Sequence, residues 1–321
     1  MEQPINTNTE ESDNETVVIG SPSNFWRFSS KTGFDLTRGG YEGNFIRFET
    51  TKMPITIDPA RSALVIIDMQ NFFLNPAINS HPAGLAASQQ LLNYVLPTTR
   101  KISMQVIWLN WGLTQEDIDQ VPPSIKAAFQ SDTLTHLPSA VPRKKIYKGF
   151  GTSVGEIKLP DGKHVEGGRL LVRDTWNASL YDPLLESYNN SQSSSKPDQL
   201  FHKTRLSGLW SHESPILSYL KSNNIATLFF AGVNTDQCVS STLQDALSKN
   251  FDCVLLRDAC GTSSPSFAQQ CIEYNCALYQ GVGLFVRAHI FDLFAYNWSE
   301  IGCIAQYNEM STLIIDSHSI G

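Results

Sequence analysis

The segment from Ile225 to Leu247 most constrains how this chain can fold. Residues 225–231 are apolar without alternation, which is typical of a strand covered on both faces in a parallel sheet. Gly232 ends that run. Apolar residues then recur at the spacing of one helical face, at Val239, Leu243, Ala246 and Leu247. A strand, a short turn and a helix in this order predict one unit of an α/β fold.

Other apolar runs along the chain have the same character as the first. We predict strands at 63–68, 105–110, 199–202, 225–231, 253–258 and 277–279. Helical patterns lie between most of them, at 86–102, 214–222, 238–250 and 265–275. Strands that alternate with helices form a parallel sheet with helices on both faces. The predicted fold class is therefore α/β, a three-layer α-β-α arrangement around a doubly wound, mostly parallel six-stranded sheet.

The segments outside this alternation set the expected domain boundaries. We divide the chain into a disordered acidic tail, an N-terminal arm, a main domain and a C-terminal extension, at 1–20, 21–60, 61–290 and 291–321. The arm mixes aromatic and charged residues, and we interpret it as packing on the core or on a neighbouring subunit. Within the main domain, a hairpin insert is expected at about 143–175, and the Ser- and Asn-rich residues 186–198 predict a loop.

Composition disfavours several classes of function. The 24 Lys and Arg residues against 31 Asp and Glu give a net charge of −7, with no basic run to grip phosphates, so nucleic-acid binding is disfavoured. The chain start lacks the pattern of a signal peptide, and no apolar stretch reaches membrane-spanning length. All six cysteines lie in the last third without Cys-x-x-Cys spacing, which favours reduced thiols. We therefore expect a cytoplasmic protein without nucleic-acid or membrane partners.

Cys238 stands where the predicted turn enters a helix. A thiol at a helix N-terminus is close to unpaired N–H groups and to the positive end of the helix dipole, and both favour the thiolate. The same N–H groups can hold the oxyanion that forms when a thiolate attacks a carbonyl. Cys238 is therefore a candidate nucleophile for acyl transfer. The alternative is an inert core thiol, because free cysteine is among the most buried residue types.

Two charged residues end other predicted strands, Asp68 on the first and Lys203 on the third. Ligands of open α/β sheets bind beyond the carboxyl ends of the strands, where Cys238 also lies. A carboxylate can take the thiol proton and pass it to a leaving amine, and a lysine lowers the pKa of the thiol and keeps the carboxylate ionised. The alternative is that each charge simply exits to solvent, which explains either residue alone better than all three together.

Three blocks that contain these residues are similar to the motif blocks of the isochorismatase-like cysteine hydrolases. They are IIDMQNFF at 66–73, KTRLSG at 203–208 and GVNTDQCVSST at 232–242, in the order and spacing of that family over roughly residues 60–288. The resemblance implies an isochorismatase-like fold and an Asp–Lys–Cys triad at Asp68, Lys203 and Cys238. It also implies a cis peptide bond before Asn234, which aims the backbone N–H groups of Asn234 and Cys238 as an oxyanion hole.

Within the family, the chain most resembles ureidoacrylate amidohydrolases. This implies cleavage of a linear C–N amide or ureido bond of a small molecule through a thioester intermediate, in a homo-oligomer (dimer or tetramer). Nicotinamidases carry an Asp-x-His metal motif after the second strand, where this chain has Asn110-Trp111-Gly112, so we expect neither a metal nor another cofactor. The alternatives are an isochorismatase-type vinyl-ether hydrolase and a catalytically silent relative that binds a metabolite or partner.

Several side chains after strand ends or in the insert are candidates for substrate binding. Aromatic rings could wall a planar acyl group, an amide at a strand end could bond a substrate amide, and an arginine could bind a carboxylate. The candidates are Asn71, Phe73, Asn110, Trp111, Trp176 and Arg205. The alternative is that the aromatic residues belong to the core and that Arg205 lies on the surface.

Overall fold

The computed structural model of the protein describes residues 16–39, 45–50, 53–129, 149–278 and 285–286. The first five strands form a small mixed sheet in the order β1-β2-β3-β5-β4. They are β1 (Val17–Ser21), β2 (Asn24–Ser29), β3 (Gly33–Asp35), β4 (Ile46–Phe48) and β5 (Ile55–Ile57). We predicted a disordered tail over residues 1–20. This prediction is wrong from Val17 onward, because the β-branched residues there pair with β2. Residues 1–15 lie outside the described part.

The small sheet packs on the main domain of the same chain, as one of the two interpretations of the arm predicted. Ile46, Phe48, Ile55 and Ile57 are buried and share an apolar cluster with the main sheet. The Arg38 guanidinium donates two hydrogen bonds to the Asp252 carboxylate, at 2.7 and 2.8 Å. Apolar burial and a buried ion pair therefore join the arm to the main domain.

Within the described residues, six parallel strands form the central sheet, and a separate hairpin lies in the insert. The strands that follow β5 are β6 (Ser62–Ile67), β7 (Gln105–Trp111), β8 (Glu156–Lys158), β9 (His164–Glu166), β10 (Gln199–Lys203), β11 (Thr227–Val233), β12 (Asp252–Gly261) and β13 (Phe285–Val286). The central order is β10-β7-β6-β11-β12-β13, and β8 pairs with β9 as the predicted hairpin. The strands β6, β7 and β11 are buried along their whole length, which explains their continuous apolar sequences.

The sixth strand is not where the sequence predicted it. Ala277 and Leu278 belong to the helix Ser266–Leu278, and the sixth strand is β13, which pairs with β12. Tyr279 lies outside the described residues. A run of three apolar residues is equally compatible with a strand and with the last turn of a helix, so periodicity could not separate them.

Helices flank the sheet and complete the three layers. They are α1 (Asn71–Leu74), α2 (Pro82–Gln90), α3 (Leu96–Lys101), α4 (Gln115–Asp119), α5 (Pro123–Phe129), α6 (Asp182–Ser191), α7 (Pro215–Ser222), α8 (Ser240–Ser248) and α9 (Ser266–Leu278). Short 3₁₀ turns occur at Pro59–Arg61 and Trp176–Ala178, and π-helical turns at Leu91–Val95 and Thr235–Val239. The predicted loop at 186–198 is wrong for 186–191, because Leu184 and its neighbours pack on the core at helical spacing and outweigh the weak propensity of Ser and Asn.

The central sheet splits the hydrophobic core of the described residues into two clusters. Along β6, Ala63, Val65 and Ile67 face one cluster, while Leu64 and Ile66 face the other. The same alternation along β7 separates Ile107 and Leu109 from Trp108. The side on which a residue leaves its strand therefore decides whether it reaches the site described next.

Candidate active site

Asp68, Lys203 and Cys238 lie together at the carboxyl edge of the central sheet, after β6, at the end of β10 and after β11, with β7 between β10 and β6. The Lys203 ammonium is 3.0 Å from Asp68 Oδ2 and 3.4 Å from Cys238 Sγ. All three side chains are buried, and those of Lys203 and Asp68 are 0% and 1% exposed. The convergence expected from their positions at strand ends is observed. The lysine connects the carboxylate to the thiol.

Asp68 follows β6 in a backbone conformation that ends the strand. Its φ is 54°, in the left-handed region that Asp tolerates better than most residues. The backbone N–H of Trp111, at the end of β7, donates to Asp68 Oδ1 at 3.1 Å. The same N–H also lies 3.0 Å from Gln70 Oε1. The neighbouring strand therefore fixes the orientation of this carboxylate.

Trp111 also contacts the lysine of the site. Lys203 and Trp111 are directly paired across β10 and β7, so their side chains leave the sheet on the same face. The Lys203 Nζ lies 3.9 Å from the centroid of the Trp111 ring and donates to the backbone carbonyl of Arg205 at 3.2 Å. The structure thus places Trp111 beneath the lysine, where the ring stabilises a buried positive charge.

The sequence suggested that Cys238 is the first residue of a helix. In the structure it lies inside a helical turn instead. The peptide bond between Val233 and Asn234 is cis, as the resemblance implies, and a π-helical turn then runs from Thr235 to Val239. The Thr242 hydroxyl donates to the Cys238 carbonyl at 2.7 Å and accepts from the backbone N–H of Gly208 at 3.3 Å. Thr242 therefore ties the cysteine turn to the loop that follows Lys203.

The expectation that Cys238 would favour the thiolate is wrong for the site as it stands. Burial raises the pKa of the Cys238 thiol to about 12, because desolvation of the thiolate outweighs the positive charge of Lys203. The nearby Asp68 carboxylate raises the pKa further. The thiol is thus protonated at neutral pH and needs a base to become a nucleophile.

Asp68 is placed to serve as that base. Burial also raises the pKa of the Asp68 carboxyl, although Lys203 and the Trp111 N–H oppose the shift. A carboxylate with a raised pKa accepts a proton more readily than an ordinary aspartate does. A proton that moves from the thiol to the carboxylate stays within the cluster, so the net charge does not change. Lys203 adjoins both groups and is therefore next to the negative charge before and after the transfer.

Three of the predicted substrate contacts lie near the α1 segment and the insert. The Asn71 amide donates to the Trp176 carbonyl at 3.0 Å and accepts weakly from Asn75, so this side chain holds the insert and is not free for a ligand. Trp176 and Phe73 are partly buried and pack on the apolar cluster that also contains Cys238. These two rings stay candidates for the wall of a substrate site.

Two other predicted contacts are less well placed. Asn110 pairs across the sheet with His202 and points to the face opposite Trp111, so it leaves the sheet away from Lys203. The Arg205 guanidinium donates to the carbonyls of Thr204 and Gln120 and stacks on Trp210. Arg205 is thus occupied by local contacts, and its binding of a substrate carboxylate stays a prediction.

The sequence interpretation missed two polar side chains around the site. The buried Gln70 amide donates to the carbonyls of Trp111 and Ala178, at 2.8 and 2.6 Å, and so joins β7 to the insert. The His81 imidazole lies 2.6 Å from the Asn234 side chain. Gln70 belongs to a recognisable motif block, whereas the only local signal at His81 is its place before Pro82 at a helix start.

Neither a metal cluster nor a membrane span is found in the part of the chain that the structure describes. No group of three or more His, Cys, Asp or Glu side chains in those residues could hold a metal ion. No helix there combines the length and the hydropathy needed to cross a membrane. Five of the cysteines are free thiols, and Cys303 lies outside the described residues.

The chain is similar to known proteins in both sequence and fold. Residues 160–275, which include Lys203 and Cys238, match the family model of the isochorismatase domain. The ureidoacrylate amidohydrolase RutB of Caulobacter segnis is 27% identical over 233 residues, which are 71% of this chain and 84% of that protein. A solved cysteine hydrolase from Pseudomonas syringae pv. phaseolicola 1448A is 16% identical, with a TM-score of 0.50 over 75% of this chain and 96% of the other. The predicted fold class is confirmed.

Proposed function

We propose that this chain, whose residues 160–275 match the isochorismatase domain and whose fold is similar to that of a solved cysteine hydrolase, is a cysteine-dependent amidohydrolase of a small linear amide or ureide. The observation that carries the proposal is the buried contact of one ammonium group with both a thiol and a carboxylate. A structural core has no need for three ionisable groups whose burial is individually costly. A site that breaks a C–N bond with a thiol nucleophile needs all three groups.

The first half-reaction forms a thioester. Asp68 takes the proton of the Cys238 thiol, and the sulfur forms a bond to the substrate carbonyl carbon while the carbonyl electron pair moves to the oxygen. The resulting oxyanion is held by the backbone N–H groups of Asn234 and Cys238. Asp68 then protonates the leaving nitrogen, the C–N bond breaks, and the amine departs.

The second half-reaction restores the enzyme. Asp68 removes a proton from water, which attacks the thioester carbonyl, and the C–S bond breaks to release the acid and the thiolate. The proton returns from Asp68 to the sulfur. Throughout the cycle Lys203 keeps a positive charge beside whichever partner is negative, which lowers the free energy of the charged intermediates.

The proposed substrate class rests on the named substrate of a similar protein and on the aromatic side chains that pack on the cluster containing Cys238. The amidohydrolase of C. segnis is named for ureidoacrylate, a linear ureide. Trp176 and Phe73, partly buried in the cluster that contains Cys238, are the rings that we propose to wall a planar acyl group. A homo-oligomeric state (dimer or tetramer) and a cytoplasmic location are part of the same proposal.

The test is a substitution of Cys238 assayed for ammonia release on a panel of linear amides and ureides. Cys238→Ala and Cys238→Ser are expected to fold normally and to lose hydrolysis by roughly three orders of magnitude or more. The matched control is Cys271→Ser, because Cys271 is an exposed free thiol on α9. If Cys238→Ala keeps most of the activity, the covalent mechanism is wrong; if the wild-type chain hydrolyses no member of the panel, the proposed substrate class is wrong.

A further inference from the structure

A buried histidine lies behind the turn that contains Cys238. His81 is the N-cap of α2, and its Nδ1 accepts a hydrogen bond from the backbone N–H of Gly84 at 2.8 Å. A neutral imidazole that accepts at Nδ1 carries its hydrogen on Nε2. That Nε2 lies 2.6 Å from Asn234 Oδ1, so His81 donates a short hydrogen bond to the Asn234 side chain.

The Asn234 side chain makes a second hydrogen bond within the turn that contains Cys238. Its Nδ2 donates to Gln237 Oε1 at 3.3 Å, and Gln237 Nε2 donates to Ser264 Oγ at 3.3 Å. Asn234 and Gln237 bracket most of the turn, and Gln237 directly precedes Cys238. The polar side chains therefore connect the start of α2 to the loop after β12 through the residues around the nucleophile.

The position of the histidine itself is fixed by close backbone packing. A Cβ atom on Gly261 would lie 2.6 Å from the Ala83 carbonyl, and one on Gly84 would lie 2.8 Å from His81 Nδ1. Both distances are too short for any side chain, so the first turn of α2 rests directly on β12 and on the imidazole. Because the ring is held this tightly, its hydrogen bond can hold the Asn234 side chain in one orientation.

We propose that His81 is a positioning residue, which orients Asn234 so that the backbone N–H of Asn234 points at the oxyanion. This inference rests on the proposed function, since it concerns the oxyanion site of the same reaction. His81 touches neither the nucleophile nor the substrate. It acts through the Asn234 side chain, and displacing a donor by a fraction of an ångström weakens its stabilisation of the transition state.

The variant His81→Asn separates this role from helix capping. Asparagine is a good N-cap residue and keeps an acceptor for the Gly84 N–H, but its shorter side chain does not reach Asn234. The matched control is Ser214→Ala, which removes the cap of α7, where Ser214 Oγ accepts from the Leu217 N–H. The control loses stability through a missing cap without altering the cysteine turn.

The assay uses benzaldehyde as a probe of the oxyanion site. Cys238 adds to the aldehyde carbon, its proton passes to Asp68, and the carbonyl electron pair becomes an oxyanion; no group can leave, so the adduct accumulates reversibly. Its dissociation constant is measured by ¹³C NMR with aldehyde labelled at the carbonyl carbon. Alkylation of Cys238 by iodoacetamide develops no oxyanion at the site and reports only on the thiol.

His81→Asn is expected to weaken the benzaldehyde adduct by about tenfold or more and to lower kcat rather than raise KM, while the alkylation rate stays within about twofold. In the Asn234→Ala background, which keeps the backbone N–H, His81→Asn should have no further effect. An unchanged adduct affinity in His81→Asn, or equal losses in adduct affinity and alkylation rate, would overturn the inference. Hydrolysis retained by Cys238→Ala would instead overturn the proposed function.

Discussion

Lys203 is an ammonium group with no access to water, enclosed by a carboxylate, a thiol and an aromatic ring. A buried lysine loses its hydration, and each of these contacts offsets part of that loss. The Asp68 carboxylate contributes most, because opposite charges 3.0 Å apart attract strongly where water is excluded. The same arrangement places a positive charge beside the thiol, where a thiolate must form.

We expect Lys203→Ala to slow alkylation of Cys238 at every pH between 7 and 10. Lys203 is the largest contribution that lowers the Cys238 pKa, so its loss moves that pKa above its present value of about 12. Each further unit removes about tenfold of the thiolate at a given pH. The measurement is the rate of iodoacetamide alkylation against pH, and an identical profile with and without Lys203 would remove the lysine from the site.

Two matched variants accompany that measurement. Lys163→Ala removes an exposed lysine from the hairpin insert, where its side chain is 79% exposed, and should leave the profile unchanged. Lys203→Arg keeps the charge but replaces a compact ammonium by a planar guanidinium, so we expect it to react more slowly than the wild type.

At the scale of elements, the end of β11 depends on an unusually close approach to β6. Gly232 has a φ of +111°, and a Cβ atom there would lie 2.1 Å from the Ile67 carbonyl oxygen and 2.6 Å from the Ile67 nitrogen. Both neighbours are backbone atoms of a fully buried strand, so neither can move aside. The strand end that carries Asp68 and the turn that carries Cys238 are therefore packed backbone to backbone.

We expect Gly232→Ala to destabilise the fold by at least about 3 kcal/mol, the sum of a forbidden contact and a left-handed backbone for a residue with a Cβ. Gly162→Ala is the matched control, because Gly162 also has a positive φ, of +86°, but its Cβ would meet nothing within 4 Å. The control should lose only about 1 kcal/mol. Urea unfolding of both variants checks this, and similar losses at the two positions would contradict it.

At the scale of the whole molecule, one buried carboxylate joins the N-terminal sheet to the central sheet. Asp252, the first residue of β12, accepts from the Arg38 guanidinium, from Trp26 Nε1 at 2.8 Å and from Thr227 Oγ1 at 3.0 Å. The side chains of Arg38 and Asp252 are 8% and 4% exposed. Removing the carboxylate takes away the counter-charge of Arg38, which keeps hydrogen bonds only to Asn24 Oδ1 and the Leu36 carbonyl, and the acceptor of the Trp26 indole N–H.

Asp252→Ala is expected to lower the free energy of unfolding by about 3–5 kcal/mol, because it strands a buried charge. The control is Arg257→Ala, which breaks the Arg257–Glu273 ion pair, whose arginine is 53% exposed, and should cost less than about 1 kcal/mol. Urea unfolding gives both values. If Asp252→Ala unfolds like the wild type, the N-terminal sheet does not depend on this contact.

Local sequence pattern was sufficient to predict the strands and the helix start that show a clear periodicity or capping signal. The continuous apolar runs at β6, β7, β10, β11 and β12 predicted strands, and Ser214 before Pro215 predicted the start of α7. Pattern failed at Ala277, where three residues are too few to show a period, and at Val17, where an acidic context concealed a strand. Residues 186–191 were also misjudged, since tertiary packing outweighed their propensity.

The sequence by itself determined the parallel α/β sheet, the meeting of Asp68, Lys203 and Cys238 at one edge of it, and the resemblance to a hydrolase family. Only the tertiary structure decided what each side chain touches: Asn110 faces away from Lys203, Trp111 lies under it, and burial keeps the Cys238 thiol protonated. It also joined His81 to Asn234, which lie 153 residues apart. The physical reason is that strand periodicity is a local property, whereas desolvation and hydrogen bonding depend on neighbours that only the folded chain brings together.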